Sequence, residues 1–275
     1  MKVGVVLPIA EDPGKADAPG YRAIRELARG AEGLGFDSIW LYDHLLYRFP
    51  NRPVSGLWEC WTLLTALAEA TERVELGTIV LCTAFRNPAV LAKMAVTLDE
   101  ISGGRLILGL GAGWHQPEFD AFGIPFDHLA SRFEDAVSII APLIRTGAVD
   151  YSGEFYQAPD SLSLPRGPRP DGPPLLLAGS GPRMTTVSCG FGAVAGRFTT
   201  TSTGGVSTGR GATVERATEA GAGVERAAVS RAAAWRWGGG PGGGPGGGAG
   251  PRGRTGGGWV CRSFLLYGRL ADDGG

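Results

Sequence analysis

A chain of 275 residues is long enough for one α/β barrel, which takes about 250, or for two smaller domains. Its 43% hydrophobic residues, 19% charged residues and seven tryptophans give the average of a globular protein with a real core. No run approaches the ~18 apolar residues of a bilayer span, and the apolar start MKVGVVLP is too short for a signal peptide, so no membrane association and a cytoplasmic location are expected.

The average hides a break. Of the 46 glycines, 26 follow Met184, and the formal charge is −6 before that point and +5 after it. All three lysines (Lys2, Lys15, Lys93) lie in the front part. Two regions follow from this, residues 1–184 and 185–275. The four cysteines, Cys60, Cys82, Cys189 and Cys261, lack C-x-x-C spacing and nearby histidines, so buried thiols are expected, with no metal site.

In chain order, Val3 to Leu7 is an apolar run closed by Pro8, which suits a strand buried on both faces. Ile24, Leu27, Ala28, Ala31 and Leu34 then recur at helical spacing, with Gly35 as a stop. Ser38 to Tyr42 predicts a second strand, Trp58 to Ala70 a second helix, and Val74 to Leu81 a third strand. Asn87 and Pro88 predict the cap and first residue of a helix that runs to Ile101 and stops at Gly103-Gly104. Arg105 to Gly109 is the fourth strand. A long excursion follows, with a helix over Arg132 to Arg145 and a hairpin, VDYSGEFYQ, turning at Ser152-Gly153. Leu175 to Ala178 is a fifth strand, after which the alternation stops. Strand alternating with helix predicts a parallel sheet. In the tail, Val214 to Ala234 has helical composition, and the Gly/Pro run from Gly238 to Gly258 cannot bury enough apolar surface to order itself.

In a parallel barrel, chemistry gathers at the C-terminal ends of strands. Asp43-His44 ends strand two, where His44 can donate a hydrogen bond or move a proton, or be a packing residue; Asp43 can orient it or serve a turn. Gly111-Ala112-Gly113 leaves strand four nearly bare, so that a flat ring can lie on backbone, or forms a plain tight turn; Trp114 beside it can stack on a ligand or roof the core. Gly179-Ser180-Gly181-Pro182-Arg183 offers N–H groups, a hydroxyl and a guanidinium, the chemistry of a phosphate cradle, or a turn.

Together, GFDSIWLYDH, RVELGTIVLCTAFRNPAVLAKMAVTLDEISGGRLILGLGAGWHQPEFDAFG and PLLLAGSGPRM resemble the luciferase-like monooxygenase family over residues 1–184. The resemblance implies a (β/α)8 TIM-type barrel and a flavin- or deazaflavin-dependent oxidoreductase or monooxygenase. The cofactor would be FMN or coenzyme F420, acting on a small organic molecule. It makes His44 the histidine facing the cofactor ring and Asp43 its neighbour. It puts Thr78, Ile79 and Val80 at the ring, with a cis peptide at 79–80, and Gly111, Ala112, Gly113 and Trp114 beside it. Gly179, Ser180, Gly181 and Arg183 would lie near the phosphate.

After Met184 the family pattern of further strand-helix units is replaced by TTVSCGFGAVAGRFTTTSTGGVSTGRG. An Arg-, Gly-, Ala- and Pro-rich tail without lysine is what a GC-rich gene yields in the wrong frame, so a frameshift near codon 184 is the expectation. Translation of the other two frames tests it: neither yielding strand-helix repeats would dispose of the idea. Five strands without the rest predict an incomplete barrel with two unpaired edges, weak cofactor binding at most and a disordered tail. The alternatives are a non-catalytic fragment and a module binding nucleic acid through its Arg/Gly-rich tail, the latter disfavoured because few aromatics accompany the arginines. A homo-oligomer stays open.

Overall fold

Five buried apolar runs separated by helical segments assemble into a parallel sheet, as the alternation demands. The computed structural model describes residues 2–11 and 18–178, with three short strands at 194–196, 233–238 and 260–261. The first half holds β1 Lys2–Val6, α1 Tyr21–Gly33, β2 Ser38–Leu41, a short hairpin of β3 Leu46–Tyr47 and β4 Ser55–Gly56, α2 Cys60–Ala70, β5 Glu75–Thr78 and β6 Leu81–Cys82. Then come α3 Pro88–Ile101, β7 Leu106–Gly111, α4 Gln116–Phe122, α5 Leu129–Arg145, the hairpin β8 Ala148–Ser152 with β9 Gln157–Leu162, and β10 Leu175–Ala178. The outlying strands are β11 Val194–Gly196, β12 Ala233–Gly238 and β13 Val260–Cys261.

The main sheet runs β11-β10-β7-β5-β2-β1-β12-β13, with β6 also paired to β7. From β1 to β11 all pairings are parallel, which is the arrangement of part of a (β/α)8 barrel wall. β11 is a sixth parallel strand that the sequence did not announce; Ala195 and the flanking glycines give it no apolar signature. At the other margin β12 pairs antiparallel with β1, from Lys2↔Trp237 to Val6↔Ala233, so the expected bare edge there is covered. Ala233 and Ala234 are therefore extended and not helical; the rest of the Val214–Ala234 segment and the interior of the Gly238–Gly258 run lie outside the described residues.

The two faces of the sheet separate by the two-residue period of a strand. Val5, Ile39, Leu41, Leu76, Leu106, Leu108, Leu110, Leu175 and Leu177 face outward and join Ile24, Leu64, Leu91 and Ile140 of the helices in one core. Each such side chain contributes ~1.5–3 kcal/mol on burial. Inward lie Trp40 and Leu176, with Val6, Ile79 and Ile107. Trp40 takes up the room of two neighbours: a Cβ on Gly4 would stand 2.5 Å from its Nε1, and one on Gly77 2.1 Å from its Cε3. Its indole N–H donates to Ser38 Oγ at 2.8 Å.

The third strand, expected to run unbroken from Val74 to Leu81, is interrupted. Its ladder with β7 stops at Gly77↔Ile107 and resumes at Leu81↔Leu110, so three residues face two. The Ile79–Val80 peptide at this bulge is cis, at the bond that the family resemblance singled out. Thr78 bridges the gap: its hydroxyl accepts from Gly109 N–H at 2.9 Å and donates to Gly109 O at 2.7 Å. At the N-terminal ends of the strands, Glu32 of α1 accepts from the backbone N–H groups of Arg73 (2.6 Å) and Val74 (2.9 Å). Beside it the Arg105 guanidinium donates to Ala68 O, Thr71 O, Val74 O and Ser102 O.

Candidate active site

The C-terminal ends of β2, β5–β6 and β7 meet at one mouth, and the short loop after β2 carries His44 into it. Three carboxylates come close, and the one that reaches His44 is not its neighbour Asp43. His44 Nδ1 is 2.8 Å from Glu118 Oε1, and Leu45 N–H donates to Glu118 Oε2 at 2.8 Å. Glu118 stands in the first turn of α4, a helix that the sequence did not reveal, and is buried. Of the two ring nitrogens of His44, Nε2 has no hydrogen-bond partner among the described residues, and the side chain keeps 13% of its surface exposed. His44 is held at one edge and open at the other.

Asp43 belongs to a different network. Its carboxylate accepts two hydrogen bonds from Arg86, Nη1 at 2.7 Å and Nη2 at 3.1 Å, and one from Cys82 N–H at 2.9 Å. Arg86 also pairs with Glu59, which caps α2 by accepting from the N–H groups of Trp61 and Thr62. Burial opposes the charge on Arg86, but the hydrogen bonds that it donates to Asp43 and Glu59 and the charges of those carboxylates outweigh it and raise its pKa above the ordinary value. Asp43 thus ties the mouth together from below, and of its two expected roles the contact with His44 is made by Glu118 instead.

Rings surround His44. Tyr47 is 4.8 Å away between centroids and Trp114 5.6 Å, edge-on. Phe49 stacks near Trp114 at 6.4 Å and tilts against His115 at 4.8 Å. His115 is buried, and its Nε2 accepts from Arg48 N–H at 3.2 Å, which pins the β3–β4 loop over the mouth. Burial lowers the pKa of His115, a nearby His44 lowers it further, and Glu118 pulls it back up. Trp114 is 61% exposed, so it presents an open aromatic face and does not roof the core.

The glycines of the β7 end are required by packing. A Cβ on Gly111 would lie 2.6 Å from Val80 Cγ2, and one on Gly113, at φ +84°, 2.6 Å from Phe119 Cζ and 2.8 Å from Cys82 Sγ. Protein atoms already occupy the space that these glycines vacate, so they admit the bulge and α4. Thr78 is fully buried, with its hydroxyl spent on Gly109, and offers no side-chain contact to a ligand. Cys82 is no nucleophile: burial pushes its thiol up to about 12. Cys60 and Cys82 are both free and buried. No group of three or more His, Cys, Asp or Glu residues suited to a metal occurs among the described residues. Gly179, Ser180, Gly181 and Arg183 lie outside the described residues.

An aromatic, heteroatom-bearing ring fits this mouth: a half-buried imidazole edge and an exposed indole face are the partners that a flat polar ring needs. Glu118, Tyr47, Phe49 and His115 were not singled out from the sequence. The one available signal was Glu118 next to buried Phe119, an acid on the inner side of a short amphipathic turn.

Comparison with known proteins agrees with the geometry. The chain is 35% identical over 173 residues to an F420-dependent glucose-6-phosphate dehydrogenase of Amycolatopsis mediterranei, an alignment covering 61% of this chain and 50% of that protein. It is also 35% identical over 184 residues to the pyrimidine monooxygenase RutA of Methylobacterium radiotolerans, covering 60% and 46%. The chain thus spans about half the length of the curated relatives it matches. Among solved structures, the monooxygenase RslO1 of Streptomyces bottropensis superposes with a TM-score of 0.61 at 29% identity, covering 71% of this chain and 59% of that one. No helix among the described residues is long and apolar enough to cross a membrane. The model of the luciferase-like monooxygenase family matches residues 1–233, past Met184, and with the parallel wall and the histidine at its mouth this makes the chain a member of that family.

Proposed function

We propose that the chain is an oxidoreductase that holds a flavin or deazaflavin ring, FMN or coenzyme F420, at the mouth beside His44 and acts on a small organic molecule. One observation carries the reading: His44 is fixed by Glu118 at Nδ1 and open at Nε2, within a ring of aromatics at strand ends. The bound cofactor supplies the hydride or the activation of oxygen. The chain's own residues do the rest. Nε2 of His44 takes or returns a proton at the reacting atom, a role worth ~10²–10⁴ in rate for a positioned base. Trp114 and Phe49 give an apolar rim that excludes water from one side of the ring. Ser180, Gly181 and Arg183, following β10, hold the phosphate of the cofactor. Asp43 keeps His44 in place indirectly, through Arg86 and Cys82 at the base of the mouth.

Equilibrium titration of the full chain with FMN, riboflavin and F420, followed by ligand fluorescence, tests this. Weak but saturable binding of at least one phosphorylated cofactor is expected. Arg183→Ala should cost that cofactor ~10-fold or more, as loss of a charged hydrogen bond does, and leave riboflavin nearly unchanged. No saturable binding of any of the three ligands overturns the reading.

A further inference from the structure

We infer that Glu118 sets the tautomer of His44, so that neutral His44 presents a lone pair at Nε2 to whatever occupies the mouth. Glu118 is then a positioning residue, and the inference deepens the proposed role of His44, on which its functional meaning rests.

The bonding pattern decides the direction. Leu45 N–H can only donate, so Glu118 Oε2 must accept. The other oxygen of the same group faces His44 Nδ1 at 2.8 Å, and in the carboxylate form it can only accept, so Nδ1 then carries the proton. A neutral imidazole has a single N–H, and Nε2 is therefore bare. Glu118 has 1% relative exposure, so water does not compete for either oxygen. The other groups facing His44 do not offset this. Tyr42 and Tyr47 stand 6.4 Å and 4.8 Å away between ring centroids, Trp114 5.6 Å and His115 6.4 Å. The Nε2 of His115 is already occupied by the Arg48 N–H. Glu118 is the carboxylate among them.

Glu118→Gln makes a sharp test because it keeps the shape and removes the symmetry. The single amide oxygen must serve Leu45 N–H, since the reverse arrangement would set two donors against each other. The amide NH2 then faces His44 Nδ1, which becomes an acceptor, and the ring proton moves to Nε2. The same edge of His44 thereby changes from acceptor to donor.

The three histidine rings of the ¹⁵N-labelled full chain, without cofactor, can be read by long-range proton–nitrogen correlation, with His44 identified by the loss of its signals in His44→Gln. Neutral His44 should show the proton on Nδ1 in the wild type and on Nε2 in Glu118→Gln. A wild-type ring protonated at Nε2 overturns the inference, and so does a Glu118→Gln protein that keeps the proton on Nδ1. If Glu118→Gln does not fold, the wild-type spectrum alone decides. Because no cofactor is present, this outcome is independent of the titration that tests the cofactor reading.

Discussion

At the N-terminal ends of the strands, Glu32 and Arg105 direct most of their hydrogen bonds to backbone groups and hold the turns before β5 and β7, beside the ion pairs Lys2–Glu75 and Asp99–Arg169. At the C-terminal ends, polar side chains pair with one another: Asp43 with Arg86, Arg86 with Glu59, His44 with Glu118. Only there does a ring edge, His44 Nε2, stay without a partner among the described residues. The contrast shows how one end of such a wall is specified for stability while the other can carry chemistry.

Substitutions can break or sharpen that contrast. The largest effect is expected from Arg86→Ala, which leaves Asp43 as a buried carboxylate without its cation and should cost ~3–5 kcal/mol in denaturant unfolding. Arg105→Ala, at the other end, removes a partly solvated guanidinium and should cost ~2–3 kcal/mol, as the loss of charged hydrogen bonds does. The two should also differ in kind. Arg86→Ala should disturb the ring signals of His44, and Arg105→Ala should leave them unchanged. Equal disturbance by both would erase the distinction between the ends.

The two ends should respond to acid in different windows. Burial lowers the pKa of His115 in the fold, so its contribution is complete above its ordinary value of 6.5 and is lost as pH falls below it. For Glu32, burial raises the pKa, but the backbone N–H groups of Val74, Arg73 and Glu72 outweigh it. Its folded pKa therefore lies below the ordinary 4.5, and its contribution is lost as pH falls through the range beneath that value. His115→Gln should flatten the stability profile near pH 6 and Glu32→Gln only near pH 4, each by ~1 kcal/mol or less. Unfolding curves across pH check both signs.

Much of the wall was legible in the residues. The run Leu175 to Ala178, the Asn87–Pro88 cap and the buried Ile24, Ala28 and Ala31 of α1 each follow from local pattern and stand where that pattern put them, whereas Leu34, read as part of the same face, is the exposed C-cap. The cis peptide at 79–80 was legible only through resemblance, since LGTIVL by itself reads as a continuous strand. The partner of His44 was not legible. Glu118 is 74 residues away, and no local rule distinguishes it from Asp43 next door. Likewise nothing within GLGAGW announces that Val80 and Phe119, from elsewhere in the chain, take up the room beside its glycines. Local chemistry announces elements; long-range pairing decides which side chains remain open.

The central claim is that a flat heteroaromatic ring sits against the open edge of His44. Titrating FMN and F420 into the ¹⁵N-labelled chain, while following the three histidine rings, tests it most directly. The His44 signals should shift with saturation, while those of His128, which packs against Phe155, should stay in place. Saturable cofactor binding that moves His128 and leaves His44 still would contradict it.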